Sequence, residues 1–379
     1  MTREPAPARP WALALSGLVA LAVAMGIGRF AFTPILPMMQ QDSGVSVAQG
    51  GWLASANYAG YLAGALWATA MPPRSAWAAR AGLAVIAAVT VAMGLVHHMA
   101  GWLVLRTAAG FASAWVLVYV SAWSLEKLAP IGRPVLSGVV YAGVGTGVAI
   151  AGLACLLLMA RGSSSDAAWI ALGVLSFAAL AALMPVFGPT SMPACTGTAS
   201  GLRSAPALRL IACYGAYGFG YIIPATFLPA MARDMLDDPV LFGWAWPVFG
   251  ATAALSTVAV AALSGRFDNR RIWFACHLVM ALGVAAPLLL PPVAGIVVAA
   301  VCVGGTFVVV TMVGLQEARR LAGASAARLI GALTAAFAAG QIIGPAFASA
   351  TLVAGASLHG ALAAAAIALV LSAFALLGQ

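Results

Sequence analysis

The chain has 379 residues, 63% of them hydrophobic and only 7% charged, against roughly 25% charged in an ordinary soluble domain, which excludes a soluble globular protein. The net charge of +9 comes from basic residues scattered between apolar runs; they form no stripe of the kind that binds nucleic acid, and they report membrane orientation instead. Five cysteines without CxxC or His-paired spacing point to no disulfide framework and no metal site, and no cofactor is expected.

A bilayer core about 30 Å thick takes roughly 20 apolar residues per helix. Runs of that length predict spans in the first half over 11–36, 48–70, 77–96, 101–125, 134–159 and 167–187. The first follows Arg3 and Arg9 and contains Ala22-Val23-Ala24, the outline of a secretory leader. Its apolar stretch runs on past that point and recurs down the chain, so it is read as a span. Residues 188–205, rich in Pro, Gly, Ser and Thr, are predicted to form a cytoplasmic linker. Six further spans are expected over 206–231, 240–264, 271–290, 293–316, 327–353 and 357–377.

The predicted architecture is therefore an all-α membrane protein with twelve transmembrane helices, six in 1–187 and six in 206–379. Alternating the loops across the bilayer puts Arg74, Arg80, Arg270, Arg271, Arg319 and Arg320 on one side with most other basic residues. Only Arg161 and Arg233 fall opposite, so the positive-inside rule makes the first side cytoplasmic, with both termini on it.

The two halves look related. Moved by 192 residues, "GIGRFAFTPILPMM" (26–39) lies on "GFGYIIPATFLPAM" (218–231), matching Gly26 to Gly218, Gly28 to Gly220 and Pro37 to Pro229. The same shift pairs Asp42 with Asp234 and Gly51-Trp52 with Gly243-Trp244. Two six-span halves in the same orientation resemble the major facilitator superfamily. The stretch "MGIGRFAFTPILPMM", followed by "GWLASANYAGYLAGAL", is similar to its bacterial YbfB/YjiJ-like branch. That resemblance implies two pseudo-symmetric six-helix bundles, a monomeric carrier in the bacterial inner membrane, and a substrate held between the halves.

Further motifs follow the family in part. "LSGRFDNRRIW" (263–273) resembles the superfamily's charged loop, which assigns Arg266 and Asp268 to a cytoplasmic clamp, although basic residues obeying the positive-inside rule account equally for Arg270 and Arg271. The matching first-half loop "MPPRSAWAAR" lacks the acid. "RTAAGFASA" resembles the Arg-x-x-x-Gly motif of span 4 through Arg106 and Gly110, with Ala109 where relatives carry glutamine. Gly331, Gly340, Gly344 and Pro345 in span 11 resemble a glycine-proline motif that relatives associate with antiport when it occurs in span 5. Physically, the small residues and the proline make a packed hinge.

Arg29 and Arg106 are the two basic residues inside spans. An arginine at mid-helix costs on the order of 3 kcal/mol on insertion scales, so it normally faces a wet cavity or a partner. All nine acidic residues lie in the tail, in loops or at span ends, so no deep carboxylate is available and an anionic substrate becomes the expected partner. The competing account has each arginine bound to backbone carbonyls or snorkelling outward. Asn57, Tyr58 and Tyr61 of span 2, Tyr119, Tyr141, Tyr217, Tyr221 and Gln341 are candidates to complete a pocket, with packing as the alternative for each tyrosine. Tyr221 is the repeat counterpart of Arg29, so the two are expected to face each other.

Two transport readings stay open: a secondary carrier for a small organic anion, driven by proton symport or anion exchange, and proton-coupled efflux of apolar, drug-like compounds. No ATP-binding GxxxxGK[ST] loop and no catalytic constellation such as HExxH occurs in the sequence, so an enzyme is not expected. The expected partners are a small molecule, protons and the lipid bilayer.

Overall fold

A computed structural model describes residues 10–70, 76–187, 204–235, 239–263, 266–353 and 358–377. The predicted linker lies outside them except for its last two residues, as do Arg74, Cys195, Arg203 and Gly265. The described residues are helices joined by short turns and contain no strand, as a bilayer requires of a chain that satisfies its backbone hydrogen bonds within each segment.

The first membrane rod has three parts: α1 (Pro10–Leu21), a π-helical segment (Ala22–Phe30) and α2 (Phe32–Asp42). Then follow α3 (Val47–Ala70), α4 (Ala76–Met93), α5 (Met99–Leu128), α6 (Pro134–Ala160) and α7 (Ser165–Leu183). The second half contributes α8 (Ala205–Met235), α9 (Pro239–Leu263), α10 (Asn269–Leu289), α11 (Pro292–Ala322), α12 (Ala326–Val353) and α13 (Leu358–Leu377). Nine helices among the described residues are long and apolar enough to cross a membrane, so the chain is a multi-pass membrane protein. Outside those nine fall α4, whose apolar part Trp77–Met93 is short, and α3 and α8. The last two carry Asn57, Tyr58 and Tyr61, and Tyr214, Tyr217 and Tyr221, polar groups that lower the apolar character of a helix while serving an interior surface.

Within the first half α3 packs on α5, α4 on α5 and α7, and α1 on α6. Within the second, α8 packs on α12 and α13, α10 on α11 and α13, and α9 on α11. The most extensive contacts between the halves are those of α6 with α9 and of α3 with α12, and α5 and α6 also touch α11 and α12.

Small residues make those crossings. Gly138, Gly145 and Gly152 recur every two turns along α6, and a Cβ added to them would run into Ala261, into the backbone of Gly250 and Ala254, and into Pro247. Gly143 and Gly147, on another face of α6, meet the backbone of Leu18 and Ala22 in the first rod. Lipid gives helices no hydrophobic reason to associate, so such close backbone approach is where their packing energy arises. In α12, Gly331 sits against Thr69 and Ala65 of α3, Gly340 against Gly215 and Phe219, and Gly344 against Ile222.

Charged groups collect at helix ends. Glu317, 1% exposed in its side chain, takes Arg270 at 2.7 Å and Arg320 at 2.9 Å. Asp268 caps α10 by accepting from the backbone N–H of Arg270 at 3.3 Å, and Arg266 is exposed. At the other end of the bundle His97 meets Asp166 at 2.9 Å, and Asp42 accepts from the hydroxyl of Ser165 at 2.9 Å.

Candidate functional site

Arg29 lies on the π-helical segment at the junction of the halves and is 3% exposed. Its Nη2 donates to the Oε1 of Gln341 on α12. Gln341, itself fully buried, donates from Nε2 to the Tyr221 hydroxyl on α8 at 2.6 Å. One carboxamide thus joins the arginine of the first half to its repeat counterpart in the second.

Aromatic rings surround the guanidinium. Its central carbon is 3.8 Å from the centre of the Tyr61 ring, 5.4 Å from Phe30, and 5.6 Å from both Tyr58 and Phe337. The Tyr61 contact is cation–π in geometry, an attraction that strengthens where water is excluded. Phe337 stacks on Tyr221 with centroids 5.5 Å apart, and Phe307 also stacks on it, at 4.8 Å. Nε and Nη1 of Arg29 are buried without a hydrogen-bonded partner. The three ion pairs of the described residues lie elsewhere, at helix ends.

The neighbouring chain geometry explains the position of this side chain. A π-helix closes its bonds over five residues and often marks a functional segment. Arg106 braces this segment: its Nη2 reaches the Arg29 carbonyl at 3.3 Å, and its guanidinium lies 4.6 Å over the Phe32 ring. Asn57, fully buried on α3, donates to the Arg106 carbonyl at 3.0 Å and to the Gly28 carbonyl at 3.5 Å. Two glycines let the neighbouring helices come this near: Gly26 abuts the backbone of Gly147, and Gly28 abuts Ser113 and Ile86.

The residues named from the sequence therefore fall into distinct places. Arg29, Tyr58, Tyr221 and Gln341 gather in one cluster, while Asn57 and Arg106 stand behind it and hold the backbone that carries Arg29. For Arg106 this is the carbonyl-bound arrangement. Tyr217 is one layer further into the second half, where its hydroxyl donates to the Phe307 carbonyl at 2.8 Å and its ring lies 4.8 Å from Phe337. Tyr141 is buried on α6 and makes no ring contact with Arg29.

Phe30, Phe307 and Phe337 escaped the sequence reading, because phenylalanine in an apolar helix carries no polar signal. So did His277, buried on α10, which accepts at Nε2 from Trp273 Nε1 at 2.8 Å; a histidine amid apolar residues was the available clue.

Residues 21–377 match the family model described as "Uncharacterised MFS-type transporter YbfB". No curated protein matches the chain.

Proposed function

The chain belongs to the YbfB-type family of major facilitator superfamily transporters, and from that premise we propose that it carries a small organic anion across the bacterial inner membrane by alternating access, with Arg29 as the anion's partner. The carrying observation is the state of that side chain: a buried guanidinium in none of the ion pairs among the described residues, with a second buried arginine, Arg106, beside it, and two N–H-bearing nitrogens without acceptors. A buried unpaired charge is costly, and a transport site keeps it because the ligand completes the pair.

In this reading the two sets of six spans are pseudo-symmetric bundles with cytoplasmic termini, and the substrate binds where they meet. Gly331 on Thr69 and Gly138 on Ala261 then lie toward the cytoplasm, so the arrangement is closed on that side and rocking has to part those contacts. Proton symport and anion exchange both remain compatible energy sources. The aromatic ring cluster around Arg29 favours a second reading, efflux of apolar compounds, in which the arginine is a structural element.

A thermal-shift screen separates the two readings, since a ligand that binds only the folded carrier raises its melting temperature. Purified protein is expected to be stabilised by one class among carboxylates, sulfonates and phosphates, and Arg29→Gln to lose the shift. Stabilisation by lipophilic compounds alone, retained in Arg29→Gln, would establish the second reading in its place.

A further inference from the structure

The amide of Gln341 occupies the place where an anion would meet Arg29, and its identity says which anion fits. Arginine carries donors only, so the Gln341 atom facing it has to be the carbonyl oxygen, which leaves the amide nitrogen toward Tyr221. A primary carboxamide has the planar outline of a carboxylate, with two polar atoms in the same fork. The structure thus holds a neutral copy of a carboxylate between Arg29 and Tyr221.

We propose that Gln341 is a resident surrogate for a substrate monocarboxylate, and that the substrate displaces it, placing one oxygen on Arg29 and the other on the Tyr221 hydroxyl. The proposal rests on the anion reading of Arg29 given above and narrows it. Tyr221 accepts from Gln341 in this state; a hydroxyl turns from acceptor to donor by rotation, so the same two residues serve the carboxylate without rebuilding. Nε or Nη1 of Arg29, both unpartnered, provide the second donor of a fork.

One charge is called for. Arg106 donates to the Arg29 carbonyl and lies over the Phe32 face; its Nε is also without a partner, but Arg29 is the cation that contacts the Gln341 amide which the ligand displaces. The walls are flat and apolar: Tyr61, Phe337 and Phe307 present ring faces to Arg29 or Tyr221. A planar carboxylate on a flat apolar body suits them, whereas tetrahedral phosphate or sulfate brings more oxygens than Arg29 and the Tyr221 hydroxyl can satisfy.

The test uses the purified full-length carrier, its Gln341→Ala and Gln341→Glu variants and Arg29→Gln, titrated with benzoate, phosphate, sulfate and the neutral isostere benzamide while melting temperature is read. Wild-type protein is expected to respond to benzoate and to none of the others. Removing the surrogate frees the site, so Gln341→Ala binds benzoate about tenfold more tightly, the inverse of the fraction of time the site stands open. Gln341→Glu supplies its own carboxylate, melts higher than wild type and loses the benzoate response, a readout independent of how well Gln341→Ala folds. Weaker benzoate binding in Gln341→Ala, or an intact benzoate response in Gln341→Glu, would overturn the surrogate role. A response to phosphate or sulfate that vanishes in Arg29→Gln, with none to benzoate, would overturn the monocarboxylate assignment and leave the anion carrier standing. No response to any anion would remove both.

Discussion

At the scale of single residues, the account turns on a conflict between stability and function at Arg29. The side chain brings a full charge into a site that is 3% exposed, with one hydrogen bond and ring faces in return. Arg29→Gln removes that charge, so the variant is expected to unfold at or above the wild-type temperature while transport falls. Asn57 stands in the opposite position. It is fully buried and ties the Gly28 and Arg106 carbonyls to α3, and Asn57→Ala forfeits both bonds, a cost of about 1–3 kcal/mol that thermal unfolding would register as a lower midpoint. Arg29, Tyr221 and Gln341 were legible because a polar residue in an apolar run needs a reason, and the 192-residue shift set the first two opposite each other. The phenylalanines around them gave no such sign. Nor did the division of labour between the arginines: both stood out as charges inside spans, and only the hydrogen bond from Arg106 to the Arg29 carbonyl marks Arg106 as its support.

At the scale of elements, the helices were readable from run length because lipid imposes one solution on every span. The π-helical stretch Ala22–Phe30 was not, since it depends on how nearly Gly26 and Gly28 let α6, α4 and α5 approach. The crossings between the halves make their own prediction. Gly145 of α6 faces the backbone of Gly250 and Ala254, and Gly331 of α12 faces Thr69 and Ala65. A leucine at either site overfills a packed crossing, at a cost of typically 1–3 kcal/mol. If the contact at Gly331 belongs to one of two working states, Gly331→Leu traps the carrier in the other: it is expected to bind ligand with near wild-type affinity and to exchange it across the membrane at least tenfold more slowly. Equal exchange rates in reconstituted wild type and variant would show that this crossing does not open. The charge cluster at this helix end was partly visible: Asp268 stood out in the loop motif, yet it caps α10, and the acid that gathers Arg270 and Arg320 is Glu317 in another helix, about fifty residues from Arg270. A local motif cannot show a partner that distant.

At the scale of the whole molecule, the chain belongs to a transporter family and its two halves meet chiefly at the α6–α9 and α3–α12 crossings, about which the proposed alternating access would move. The Arg29–Gln341–Tyr221 bridge links the halves at their junction, so a ligand that takes the amide's place alters the contact between them as it binds. Binding and rearrangement are then coupled through the same atoms, which is the differential interaction that a ligand-driven change requires. The central claim is that Arg29 pairs with the transported anion, and counterflow of labelled benzoate in proteoliposomes tests it most directly. The account predicts saturable counterflow by the wild-type protein and a loss of at least tenfold in Arg29→Gln that melts no lower than wild type. Undiminished counterflow in that variant would contradict it.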